Sequence, residues 1–247
     1  MAIQSRLPAF LLTRPTAQST RFAASLRKRF GEDMAIIISP LIAPRFLAAS
    51  FPGTNPTALV FTSETGVEAF ARHQNRPSDL PQRAYCVGGR TAKVARLAGL
   101  VPISAQGDAA DLIALILQDG ARGPLLHICG AQTRGNVAQT LTDAGHPTTA
   151  LILYEQEEQP LTPQAKALLS GERPVVVPLF SPRSATLFLA QVGCLGPPAP
   201  LICAALSQAV AEPLAGFDGL TLCLAAKPNA AALIDSLAVF FDAPHVP

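Results

Sequence analysis

Two stretches of this chain, FTSETGVEAF (Phe61 to Phe70) and LFSPRSATLF (Leu179 to Phe188), are built to one plan. Each continues a short apolar run, ALVF from Ala58 in the first case and VVVPLF from Val175 in the second. Each then reaches a serine at the head of a segment whose apolar residues recur at helical spacing. That order reads as strand, turn and helix N-terminus, with a hydroxyl placed to accept a bond from an otherwise unpaired backbone N–H. Aligning Ser63 with Ser181 brings Phe70 onto Phe188, so the distance from cap to core anchor is kept.

The correspondence runs on downstream. AYCVGGRTAKVARLAGL (Ala84 to Leu100) matches LICAALSQAVAEPLAGF (Leu201 to Phe217), with Cys86 over Cys203, and each reads as strand, turn and helix ending at a glycine. AADLIALIL (Ala109 to Leu117) matches AALIDSLAVF (Ala231 to Phe240) as a short amphipathic helix. The fourth unit of the first copy, LLHICGAQTRGNVAQTLTDAG (Leu125 to Gly145), finds its counterpart at the other end of the chain. There FLLTRPTAQSTRFAASLRKRFG (Phe10 to Gly31) places Ala17-Gln18 under Ala131-Gln132. The second copy is therefore discontinuous.

Strands and helices alternating through short loops make βα units in a parallel sheet with helices on both faces. The expected fold class is α/β, with two similar doubly wound parallel-sheet domains joined by a two-stranded linker. One domain takes residues 1–37 plus 165–247, the other is inserted at 48–149, and 38–47 with 150–164 form the linker strands. Apolar runs in IIISPLIAPRF (Ile36 to Phe46) and TALILYEQEEQ (Thr149 to Gln159) supply that ribbon. Two domains on a double ribbon predict a ligand cleft and hinge motion, with Ser63 and Ser181 facing one another across the ligand.

Composition narrows the function. With 247 residues, 49% hydrophobic and 15% charged, the chain can bury a large core. A net charge of +2 without a basic block argues against nucleic acid and against a polybasic membrane patch. Cys86, Cys129, Cys194, Cys203 and Cys223 form no C-x-x-C pair, so reduced thiols in a cytoplasmic protein are expected. The start, MAIQSRLPAFLLTRP, lacks the pattern of a secretory signal. Ser184 to Ala211 carries no charge, but Gly193, Gly196 and three prolines interrupt it, so it reads as helix, loop and buried strand rather than a membrane span.

Most familiar chemistries are missing. VGGRTAKVARLAG has the wrong spacing for G-x-G-x-x-G, and there is no phosphate loop, H-E-x-x-H or G-x-S-x-G. The histidines His73, His127, His146 and His245 are scattered, and His127 inside LLHIC reads as a core residue. What remains is a set of hydroxyls at strand-to-helix turns: Thr13, Thr62, Ser63, Thr91, Ser181 and Ser207. In a doubly wound domain these turns lie at the carboxyl edge of the sheet, where helix N-termini present N–H groups to anions. Singly, each is an ordinary N-cap; together they suggest an anion-lined site. Arg14, Arg90, Arg134 and Arg183 follow the same strands and either add charge there or are solvated surface residues. Tyr154 lies in the second connector, where it is either an aromatic plug or a hydroxyl facing the cleft.

LLTRP, SPLI, VFTSETGVEAF, YCVGGRTAKVARLAG, HICGAQTRGNV, LILYE and LFSPRSA, in that order over nearly the whole chain, resemble the uroporphyrinogen-III synthase family. The resemblance implies that the substrate is hydroxymethylbilane, a linear tetrapyrrole. It would be cyclised to uroporphyrinogen III with loss of water and inversion of the last pyrrole ring, without metal or organic cofactor. It implies a lyase of tetrapyrrole and haem biosynthesis. A cytoplasmic monomer with neither nucleic acid nor membrane as partner is expected. Carried over by motif, Tyr154 matches the tyrosine expected to assist departure of the terminal hydroxyl. Thr62, Ser63, Gly88, Thr91, Gly130, Arg134, Ser181 and Ser207 match turns expected to bind substrate, and Thr13 and Arg14 join them from the first strand. ALSQA departs from the family's pattern, with Ala205 and Gln208 where glycine and threonine are common. A two-lobed binding module, or a paralogue without activity, is the competing reading.

Overall fold

The computed structural model describes residues 7–121, 123–132, 135–196 and 198–241. The chain divides into two compact units, Met1–Ala43 with Glu158–Pro247, and Pro44–Glu157. The inserted unit is built from β4 (Ala58–Phe61), α2 (Glu64–Arg72), β5 (Arg83–Cys86), α3 (Gly89–Leu97), β6 (Val101–Ser104), α4 (Ala109–Gln118), β7 (Leu125–Gly130), α5 (Val137–Asp143) and β8 (Thr148–Glu158). The discontinuous unit starts with β1 (Ala9–Leu12), α1 (Thr16–Phe30) and β2 (Ile36–Ile38). It resumes with α6 (Pro163–Leu169), β9 (Val175–Leu179), α7 (Pro182–Val192), β10 (Leu201–Ala205), α8 (Gln208–Ala211), β11 (Leu220–Leu224) and α9 (Ala230–Asp235). β3 (Ile42–Phe46) is the remaining strand.

The two sheets have the same order. One runs β11-β10-β9-β1-β2, the other β3-β8-β7-β4-β5-β6. Matching β4 with β9, β5 with β10, β6 with β11, β7 with β1 and β8 with β2 superposes the two orders, and every one of these neighbouring pairs is parallel. Strands β4, β9 and β10 are apolar throughout because both faces are covered. Val175–Leu179 and Leu201–Ala205 are buried at every position, as is Ala58–Phe61. In the inserted unit α2 and α3 supply Val67, Phe70 and Ala95 to the core on one face, while α4 and α5 supply Leu112, Ile116 and Leu141 on the other. The discontinuous unit repeats this, with Ala185 and Phe188 of α7 on one face and Phe22 and Leu26 of α1 with Leu233 of α9 on the other. The folds are doubly wound, and the duplication is one of topology as well as of sequence.

Some elements differ from the expectation. β6 and β11, which precede the paired third helices, are not anticipated: both are edge strands with exposed positions, and Pro102 interrupts the apolar run of the first. The helix after β10 is four residues long and passes into a 3₁₀ turn at Glu212–Leu214, because Pro213 cannot donate to the preceding turn. The connectors are not free of the sheets. β2 pairs with β1, and β8 pairs with β7 from Thr148 to Tyr154, with β3 as its other neighbour. Tyr154 therefore sits in a sheet and its core rather than on a strand outside both domains.

Candidate functional site

In each sheet the strand order reverses beside the first strand of its unit, between β4 and β7 in the inserted unit and between β9 and β1 in the other. Crossovers leave this point in opposite directions, opening a crevice at the carboxyl ends where α/β sheets bind ligands. A separate cavity lined by Phe70, Arg76, Pro81, Gln82 and Leu100 lies at loops that enter β5 and β6, at the amino edge.

At the crevice of the inserted unit, Ser63 caps α2. Its Oγ accepts from the Gly66 N–H at 3.0 Å and lies 2.9 Å from the Tyr154 hydroxyl. Tyr154 reaches this point through a β-bulge. Cys129 pairs with Ile152 but Gly130 pairs with Tyr154, so β8 gains a residue on β7 and Leu153 is left over. Strand side chains alternate between faces, so without the bulge Tyr154 would share the face of Ile152, which is 43% exposed. With it, Tyr154 joins Leu151 and Leu153 in the core and is 9% exposed. Gly130 completes the arrangement: a Cβ there would stand 2.7 Å from ring atoms of Tyr154, a distance no side chain tolerates. After the bulge, Ala131 N–H donates to the Tyr154 carbonyl and Gln132 Oε1 accepts from Gln156 N–H.

Burial pushes the Tyr154 phenol above its ordinary range, against the opposing effect of the Ser63 hydroxyl. It therefore stays protonated at neutral pH, able to donate a hydrogen bond but not to serve as a base. Thr62 lies one residue earlier, with its Oγ1 3.3 Å from His127 Nε2. Burial holds His127 down at about 4, so this partner is a neutral imidazole. Sequence reasoning places His127 in the core but gives it no link to Thr62. That link follows from register, in which Val60 faces His127 and Phe61 faces Ile128.

The other members of the predicted set in this unit are more spread out. Gly88 is the N-cap of α3 in an extended conformation, and nothing stands within 4 Å of where a Cβ would be. Thr91 lies inside α3, in its first turn, and is buried at 4% exposure. Arg90 is exposed. Arg134 lies outside the described residues.

In the discontinuous unit, Ser181 caps α7, accepting from Ser184 N–H at 3.1 Å and pairing with the Ser184 hydroxyl at 2.8 Å. Arg14 stacks 3.9 Å over the Phe180 ring and donates from Nε to Gln18. Thr13 is 3% exposed, and its hydroxyl has no hydrogen-bond partner among the described residues, an unusual state for a buried polar atom. Ser207 occupies the N-cap of α8 without making a side-chain cap bond. Arg183 pairs with Glu158 at 3.4 Å.

Among the described residues, no group of three or more His, Cys, Asp or Glu side chains is placed to hold a metal ion. No helix there is long and apolar enough to cross a membrane. The five cysteines are unpaired, and burial pushes Cys86 and Cys203 up to about 12, so neither is a thiolate at neutral pH. The arrangement offers hydroxyl and backbone donors with one protonated phenol, suited to binding anions and to hydrogen-bonding a departing oxygen.

The chain resembles the uroporphyrinogen-III synthetase of Helicobacter pylori in structure, with a TM-score of 0.61 at 16% identity, over 94% of this chain and 99% of that one. A mutant uroporphyrinogen III synthase from the extremely thermophilic bacterium Thermus thermophilus aligns over 95% of this chain and 99% of its own at 14% identity, with a TM-score of 0.46. No curated protein sequence matches. The family model described as uroporphyrinogen-III synthase HemD matches residues 21–235, most of the chain, and the protein thus belongs to the uroporphyrinogen-III synthase family.

Proposed function

We propose that this chain cyclises hydroxymethylbilane to uroporphyrinogen III, with Tyr154 donating the hydrogen bond that eases departure of the terminal hydroxyl. The observation that carries the role of Tyr154 is the β-bulge, which turns a protonated phenol into the core face at the carboxyl edge of its sheet. Family membership supplies the reaction.

The first step breaks the C–O bond of the terminal hydroxymethyl group. Its electron pair leaves with oxygen, the neighbouring pyrrole nitrogen supplies a pair through the ring, and the proton lost from that nitrogen balances the departing hydroxide as water. A donor at the oxygen stabilises the negative charge that develops there. The azafulvene is then attacked by the substituted carbon of the last ring, and the spiro intermediate fragments and recloses inverted. Electron-rich pyrroles make these steps easy, so positioning matters more than strong acids or bases. The carboxylates of the substrate are met by Thr62, Thr91, Ser181 and Ser207, by backbone N–H groups at Gly88 and Gly130, and by Thr13, Arg14 and Arg134. Free thiols fit cytoplasmic work, and we take the active form to be a monomer acting as a hydro-lyase.

The test is to generate hydroxymethylbilane enzymatically in the presence of the protein, oxidise the products and separate the isomers. Isomer III is expected. Isomer I alone, formed at the spontaneous rate, would mean that the chain keeps the fold without the activity.

A further inference from the structure

We propose that Ser63 is a positioning residue for Tyr154, donating its hydroxyl proton to the phenol oxygen so that the phenol proton is left for the departing oxygen. This rests on the catalytic reading of Tyr154 above and assigns Ser63 a part in addition to capping α2, in place of the substrate contact that its turn motif suggests.

Counting donors and lone pairs leads there. A serine hydroxyl has one proton and two lone pairs, and a phenol has one proton and an accepting oxygen. Ser63 Oγ commits one lone pair to Gly66 N–H at 3.0 Å, and its contact with Tyr154 is 2.9 Å. If the phenol donated to Ser63, its proton would be consumed within the protein. If Ser63 donates instead, one directed chain runs from Gly66 N–H through Ser63 and Tyr154 to the substrate, and each donor polarises the next. The direction is favoured as the phenol gives up proton density, because its oxygen becomes the better acceptor. Gly66 N–H belongs to the first turn of α2, whose positive end adds to the same stabilisation.

The surroundings hold the pair together from both sides. A Cβ at Gly66 would meet the Ile128 carbonyl at 3.0 Å and Ser63 Oγ at 3.3 Å, so glycine lets α2 begin directly on β7. A Cβ at Gly130 would stand 2.7 Å from the ring and 3.1 Å from the phenol oxygen, so glycine lets the ring lie against β7. Gly130 thus makes room for Tyr154 in addition to offering a backbone N–H. The elements packed around the phenol carry Cys129 and His127 on β7 and Glu64 on α2, and the Cys129 thiol is the one that bears on its charge.

The composition allows a direct test, because the chain has two tyrosines and no tryptophan. With tyrosine labelled by carbon-13 at the phenolic ring carbon, Tyr85→Phe assigns the two resonances. An alkaline titration then reads Tyr154 alone, and the chemical shift at neutral pH reads the same hydrogen bond if the fold opens before the titration ends. Ser63→Ala and Ser63→Gly should each raise the Tyr154 pKa by about one unit and lower kcat about tenfold with KM little changed. Ser63→Thr should restore both. Glycine is tolerated at an N-cap far better than alanine, so agreement between the two variants excludes a loss of cap stability as the cause. An unchanged Tyr154 resonance and titration in both variants would overturn the inference, as would a Ser63→Thr variant that fails like Ser63→Ala. The titration needs no substrate. A shifted phenol in a wild-type protein that makes no isomer III would leave the hydrogen bond standing and remove its role in catalysis together with the synthase reading.

Discussion

The carboxyl edges of the two sheets are built to one plan and finished differently. Both put a serine at the start of the helix after the first strand, Ser63 on α2 and Ser181 on α7, and in both the oxygen accepts from the backbone three residues on. In the discontinuous unit the spare capacity of that oxygen goes to a neighbour in the same helix, Ser184. In the inserted unit it goes to Tyr154, brought from the far strand by a bulge. The strand that corresponds to β8 is β2, which pairs in plain register with β1 and leads to Ser39, whose hydroxyl accepts from Thr162 N–H. One edge is finished with local hydrogen bonds, the other with a phenol. A duplicated scaffold can therefore keep its strand order and its caps while one inserted residue brings a phenol to the edge of one copy and not the other.

That contrast can be broken at Gly130. Gly130→Ala pushes a methyl group into the Tyr154 ring, and misplacing a catalytic donor by about an ångström lowers turnover about a hundredfold. Steady-state kinetics on hydroxymethylbilane should show the loss in kcat; a wild-type rate would mean that the ring position is immaterial.

The second test concerns the neutral imidazole behind Thr62. Burial lowers His127 from 6.5 to about 4, so the unfolded chain binds a proton there before the folded chain does. Stability from this residue is level above pH 6.5 and falls as the pH drops toward about 4. The loss amounts to at most about 3 kcal/mol. Urea unfolding of the wild type and His127→Gln should diverge over that window, the variant lacking the slope; parallel curves would place the imidazole in water.

Smaller effects test the other edge. Ser181→Ala should cost about 1 kcal/mol of stability through the lost cap and raise KM, with kcat far less affected than in Ser63→Ala. Equal kcat losses in the two variants would erase the distinction between the edges. Thr13→Val removes a buried hydroxyl that has no partner among the described residues and keeps the branched shape, so stability should rise by about 1 kcal/mol while KM increases. A loss of stability would show that the hydroxyl is satisfied in solution.

The parts of this fold that are legible in the sequence are those where local physics and tertiary packing agree. Strands such as VVVPL and LICAA are apolar at every position because both faces are covered, and Ser63 and Ser181 head helices whose Phe70 and Phe188 fill the core. The edge strands are harder to read. LTLCL and VPIS are short and partly exposed, so their composition does not set them apart from loops. For the site, the hydroxyls and Tyr154 can be picked out, but their meeting cannot. Nothing in LILYE announces an extra residue in register, and the bulge that aims Tyr154 arises from pairing with β7. The reason for Gly130 is likewise invisible without the ring it accommodates, and the contact of His127 with Thr62 depends on which strands are neighbours.

The most direct test of the claim that the reaction runs on the inserted unit's edge is the single-turnover rate of uroporphyrinogen III formation by wild type and Tyr154→Phe under identical conditions. Loss of one hydrogen bond to developing charge should slow that step about ten- to a hundredfold, with circular dichroism and thermal melting close to wild type. An unchanged rate in a folded Tyr154→Phe protein would contradict the account.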